Sequence, residues 1–236
     1  MNAHDGQINL IECMLVVAFI LGAGFFAATR KRDERVDYRV LDLEMLATKL
    51  GFDDFNAKRD EGFAMGWGFL SRLSQGENRY AFNILKGTYQ DQPLFIFDYH
   101  YQIGGTSKDV EHHFCTMFML IAKESCFPKI IMRPERSDTF LSRMDAALDE
   151  RDIKFESAEF SKAFRVVSAD KKFAYDVCNP QMMEFLLANR DLDVEIQGPV
   201  ILLAFTPQMS VDRIEFNLQR LAQIRSLLPQ YLFTNK

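Results

Sequence analysis

"QPLFIFDYHY", Gln92 to Tyr101, alternates in a way that only an extended chain satisfies. Phe95, Phe97, Tyr99 and Tyr101 would share one face of a strand, and Leu94, Ile96, Asp98 and His100 the other. The stretch starts apolar on both faces and turns half-polar toward its end, as a strand does when only one end is covered on both sides. The same period of two runs through "YAFNILKGTY" before it and "HHFCTMFMLIA" after it. Three consecutive strands follow, with "KGTYQDQP" supplying the first turn and "IGGTSKDVE" the second connection.

Further along, "KIIMRPE" reads as a fourth strand and "SDTFLSRMDAALDE" as a helix capped by Ser137. "FRVVSADKKFAYDV" reads as a hairpin about "SADKK". "NPQMMEFLLANR" opens with Asn179 as cap and Pro180 at the first helical position. "LDVEIQGPVILLAF" is a hairpin broken at Gly198-Pro199, and a long helix closes the chain between Ser210 and Pro229. Antiparallel runs separated by helices give an α+β class rather than a doubly wound parallel sheet.

Upstream the pattern changes. From Ile8 to Thr29 the sequence is apolar all round, with Ile8, Leu15, Phe19, Gly22 and Phe26 spaced along it and only Asn9 and Glu12 strongly polar. About 20 such residues suffice to cross a bilayer as a helix. A secretory signal would begin basic and end at small residues, whereas this run begins with His4 and Asp5 and ends in "FFAATRKR". Arg30, Lys31 and Arg32 follow it and no Lys or Arg precedes it, so the charge rule places the short N-terminus outside and the bulk of the chain on the cytoplasmic side of the membrane. The expected architecture is a tail and transmembrane helix over 1–29, a charged juxtamembrane helix and linker over 30–62, and a cytosolic domain of mostly antiparallel strands and packed helices over 63–236. In the second segment Leu43, Leu46, Ala47 and Leu50 recur at helical spacing between Asp42, a cap, and Gly51, a stop. The glycine-rich "GFAMGWGFL" that follows reads as a loop tucked under the domain. Ala18 and Gly22 have the small-residue spacing that lets membrane helices pair, which allows a homo-oligomer.

The formal charge is −5 and no basic cluster is interleaved with aromatics, which argues against nucleic acid as a partner. The four cysteines lack CxxC spacing, in keeping with a reducing compartment. The 22 phenylalanines fall mostly at strand or helix spacing, so a large aromatic core accounts for them.

The block "FESAEFSKAFRVVSADKKFAYDVCNPQMMEFLL", with "FNILKGTY" and "FIFDYHY", resembles a group of uncharacterised bacterial single-pass membrane proteins carrying a C-terminal domain of unknown function. The resemblance implies a bacterial origin and an anchored cytosolic domain, and it transfers no catalytic residue.

One constellation could carry chemistry. If Gln102 pairs with Glu111, then His100 faces His113 and Asp98 faces Cys115, all four on one side of the sheet. These are zinc-ligand types, but a one-residue slip would bring His100 to His112 instead, and the short ligand spacings of zinc sites are absent. A solvated strand end is the plainer reading. Asp191 and Asp193 read as a solvated face, and no G-x-S-x-G or H-E-x-x-H appears. The expectation is a membrane-anchored interaction or scaffold module, non-catalytic and without a cofactor, binding the bilayer through its helix and another protein through its domain. The alternatives are a tethered metal-dependent hydrolase built on the four-residue face and a structural subunit of a larger membrane complex.

Overall fold

The computed structural model describes residues 38–104, 110–123, 125–135 and 152–233. The chain separates into two compact units, Met1–Glu44 and Met45–Lys236. Of the first, the described residues 38–44 are helical. The second holds one sheet of eight strands, in the order β1-β2-β3-β4-β8-β7-β5-β6. They are β1 (Asp54–Asn56), β2 (Glu77–Tyr89), β3 (Gln92–Ile103), β4 (Glu111–Ile121), β5 (Phe127–Pro134), β6 (Phe164–Val167), β7 (Asp193–Gly198) and β8 (Val200–Phe205). Every neighbouring pair is antiparallel. The helices are α1 (38–50), α2 (Glu61–Gly66), α3 (Ala158–Ala163), α4 (Lys171–Val177), α5 (Pro180–Ala188) and α6 (Ile214–Leu227).

The expected architecture, a transmembrane helix ahead of a mixed domain, is corrected. Among the described residues no helix is long and apolar enough to cross a membrane. The longest, α6, has 14 residues and carries Glu215, Arg220 and Arg225; it is about 21 Å long, against a hydrocarbon core of about 30 Å. The single-pass description therefore has no support in this fold. The stretch that suggested it, with Ile8, Leu15, Phe19, Gly22, Phe26 and the flanking Arg30, Lys31 and Arg32, lies outside the described residues. So do the helix expected after Ser137 and most of the "GGTSK" loop.

Local chemistry accounts for most boundaries. α1 ends at Gly51, whose φ of +67° lets its N–H reach Thr48 O while Phe52 N–H reaches Ala47 O, a Schellman closure. Asp42 is not its cap, because the helix is already running at residue 38. α2 is capped by Asp60, which accepts from Phe63 N–H at 2.7 Å. β2 and β3 are joined through Gln90 and Asp91, both at positive φ, the signature of a type I′ hairpin turn. The expected hairpin about "SADKK" is corrected. β6 stops at Val167, and Asp170 caps α4 by accepting from Phe173 N–H at 2.9 Å. Asn179 caps α5 as expected, accepting from Met182 N–H at 3.0 Å.

Both faces of the sheet are buried. One carries Phe97, Tyr99, Tyr101, Cys115, Met117, Met119, Leu202 and Ala204, and Ala64 of α2 and Leu70 and Leu73 beyond it pack against them. Residues 61–75 thus form a strap over that face, and the loop expected of "GFAMGWGFL" is corrected: Asp60 caps a helix over Glu61–Gly66, and Met65 and Phe69 stay exposed. The other face carries Leu94, Ile96, Phe118, Leu120, Ile201, Leu203, Val194 and Ile196 by alternation, all buried. α6 packs on it against β4 and β8. The strap returns to β2 through Gly76, where φ is +63° and an added Cβ would stand 2.2 Å from Gln102 O. Gly76→Ala is expected to cost about 2 kcal/mol, read as a lowered urea midpoint with unchanged slope.

α6 is held laterally by buried Arg220, whose Nη1 donates to Asp191 Oδ2 at 2.9 Å and to Asn217 Oδ1 at 2.8 Å. The Arg220 hydrogen bonds, then its charge, hold the half-exposed Asp191 carboxyl below the ordinary value of 3.8. A depressed carboxyl contributes stability that is present above that value and lost as pH falls through the lower folded one. Wild type and Asp191→Asn should therefore differ at neutral pH and converge in an acid-unfolding series.

Candidate functional site

The four residues singled out by the sequence are divided by the sheet. Glu111 pairs with Ile103 rather than with Gln102, one residue from the expected register. Asp98 now opposes Thr116 and His100 opposes Phe114, while Cys115 opposes Tyr99 and His113 opposes Tyr101. A slip of one inverts every side chain. Asp98 and His100 thus stand on the helix-covered face, and His113 and Cys115 on the strap side. The physical reason lies in the polar match. β4 is apolar on both faces over Met117 to Leu120, so hydrophobicity does not choose. The observed register gives the buried Asp98 carboxylate a donor, Thr116 Oγ1 at 2.9 Å, with Asn83 Nδ2 on the other oxygen at 2.8 Å. Asn83 reaches it from a bulge of β2, at a φ of +51° that asparagine tolerates.

His100 is buried, and its Nδ1 lies 3.1 Å from the Asn78 carbonyl. A carbonyl only accepts, so Nδ1 carries the hydrogen and Nε2 offers a lone pair. His112 Nδ1 lies 2.9 Å from that Nε2 and is the donor in the neutral pair. Tyr80 stacks on His100 at 4.5 Å, and the Arg59 guanidinium lies over the Tyr80 ring at 4.0 Å. Burial lowers the His100 pKa below 6.5. The Asn78 carbonyl opposes this, and His112, Arg59 and His113 add to the lowering.

On the strap side, burial pushes the Cys115 thiol up to about 12, so no thiolate is available at neutral pH. His113 stacks on Tyr101 at 4.9 Å; its Nε2 has no hydrogen-bond partner and lies 3.6 Å from Glu111 Oε2. Among the described residues no group of three or more His, Cys, Asp or Glu is placed to hold a metal ion. Clefts of about 270, 330 and 310 Å³ open elsewhere, and none is lined by Asp98, His100, His113 or Cys115.

Two features went unread in the sequence. The first is a set of buried charges beneath the strap. Glu195 of β7, 1 % exposed, accepts from the backbone N–H groups of Ser71 and Arg72 at 2.6 and 2.9 Å. Asp193, expected to be solvated, is buried and takes Arg72 Nε at 3.2 Å. Burial, then the neighbouring Arg133 charge, draws Arg72 down to about 10 from 12.5, so it stays charged at neutral pH. Burial raises the Glu195 pKa, and the two N–H groups oppose that rise. Two buried carboxylates against two buried guanidinium groups leave the set formally neutral and pin the strap to β7. A signal existed: "DVEIQ" places acids on one face of a strand whose other face is Val194 and Ile196.

The second is a ridge on the strap. Met65 is 67 % and Phe69 44 % exposed. Between them Trp67 is half-buried, its ring 6.0 Å from Phe69 and 6.4 Å from Phe95, and Phe95 lies 5.4 Å from Phe63. The ridge is apolar and seated on the sheet through Phe95.

No protein-family model matches the chain, and no curated protein matches it in sequence. Among solved structures it is similar to the crystal structure of the mycobacterial trehalose monomycolate transport factor A, TtfA, with 16 % identity and a TM-score of 0.58 over 81 % of this chain and 96 % of that one. At that identity the likeness is one of fold.

Proposed function

We propose that this protein is a non-catalytic interaction module whose docking face is the Met65–Trp67–Phe69 ridge and whose partner is another protein. The observation that carries this reading is the ridge itself: large apolar side chains in the open, on a strap locked by Glu195 and Arg72. Aromatic residues and Met are the types that dominate protein–protein contacts, and a preorganised surface loses little entropy on binding. Two buried acids are occupied inside the fold, Asp98 by Asn83 and Thr116 and Glu195 by the strap backbone. The fold neighbour is a transport factor, which is consistent with an accessory role.

Site-directed photo-crosslinking in cells tests it. Benzoylphenylalanine at Met65 should give one discrete adduct, and the same probe at exposed Lys172 of α4 should not. Phe69→Asp should abolish the Met65 adduct while leaving the unfolding midpoint of the protein unchanged. An adduct indifferent to Phe69→Asp, or equal from both probe positions, would overturn the reading.

A further inference from the structure

We propose that His100 and His112 form a proton-operated catch, closed at neutral pH and released on mild acidification, that fastens the ends of β2, β3 and β4. The catch joins three strands through two contacts. His100 Nδ1–H holds the Asn78 carbonyl near the start of β2, and His112 at the start of β4 donates to His100 Nε2 at 2.9 Å. Beyond the His100–Phe114 pair the β3–β4 ladder has three pairs left before the connection, Tyr101–His113, Gln102–His112 and Ile103–Glu111. Asn78 is itself at a positive φ of 47°, at an irregularity in the β2–β3 register, and its Oδ1 accepts from Arg59 at 2.8 Å.

The two protonation steps differ in effect. Take first a proton on the exposed His112. Its Nδ1–H still points at the neutral His100, and the hydrogen bond becomes charge-assisted and stronger. The second proton must go to His100 Nε2. Both facing nitrogens then carry hydrogens, no acceptor remains between them, and two like charges face each other across 2.9 Å. The surroundings offer no relief. Tyr80 and Phe114 pack against the ring at 4.5 and 4.8 Å. Arg59 over Tyr80 and His113 across the sheet both disfavour a charge on His100. Asp98, two residues back on the same face, has its carboxylate engaged by Asn83 and Thr116, and Glu61 is engaged with Arg59 at 2.6 Å. His112, the exposed partner, is the one free to leave.

Burial depresses the His100 pKa. Its contribution is therefore present above its ordinary value of 6.5 and lost as pH falls through the lower folded value.

Amide exchange and histidine titration by NMR on the full chain test the catch. After correction for intrinsic rates, exchange at His113 and Cys115, whose amides point to β3, should quicken about tenfold as pH falls through the His100 transition. The His100 ring should titrate over the same pH range as that acceleration, below its ordinary value. In His112→Gln the amide still donates to His100 Nε2 but takes no proton, and its rotated carbonyl can accept from protonated His100. The acceleration there should fall to about twofold or less. Equal acceleration in both proteins would overturn the catch. If His112→Gln does not fold, the wild type decides alone: protonation of His100 with unchanged exchange would overturn it equally.

Discussion

Glu195→Ala should lower the unfolding free energy by about 3–5 kcal/mol, the usual cost of breaking one side of a buried charge set. The substitution strips the acceptors from Ser71 N–H and Arg72 N–H and leaves the Arg72 guanidinium with Asp193 but without the Glu195 charge. Glu195→Gln keeps one acceptor oxygen and removes the charge, so its loss should fall between that of Ala and wild type. Denaturant midpoints measure both. A second consequence separates this clamp from ordinary packing: with the strap unpinned, the Met65 crosslink should weaken in Glu195→Ala even at temperatures where the sheet remains folded.

Phe118→Ala should cost a similar amount, about 3–5 kcal/mol, through lost transfer energy and the cavity left behind. Phe118 is fully buried at mid-sheet, paired with Ile96 of β3 on one side and Leu203 of β8 on the other, with the Phe205 ring at 5.7 Å. Its neighbours are backbone-fixed strands that close poorly over a hole. Phe118→Leu, which leaves a smaller void, should cost about half as much. An equal loss in the two variants would mean that ring–ring geometry, rather than volume, is what the site requires.

Much of the fold can be read from residues 80–122, where alternation is strong enough to place three strands within a few positions. Caps that need one side chain, such as Asn179, are equally readable because their chemistry is local. β1 is not: three residues inside "DDFNAKRDEG" carry no period, and it exists because β2 offers Ile84 to Lys86 as a template. α4 misleads for a different reason. "KKFAYDV" has aromatic and β-branched residues that favour a strand, and the Asp170 cap overrides them. The candidate site was readable as a set of residue types and not as a place. β4 is apolar on both sides, so its register rests on one polar match, Asp98 with Thr116, which no periodicity reports. The buried charges were missed because their partners lie more than 120 residues apart along the chain.

The strand order has a consequence for biosynthesis. β4 ends at Ile121, and its partner β8 begins at Val200. A ribosome adding 5–20 residues per second needs on the order of 4–16 s to make the roughly 80 residues between them. Through that interval β4 presents an unpaired rim flanked by hydrocarbon on either side, the surface that cellular chaperones hold and that neighbouring nascent chains mispair with. The hairpin of β7 and β8, made after every other strand, is thus what joins the two halves of the sheet.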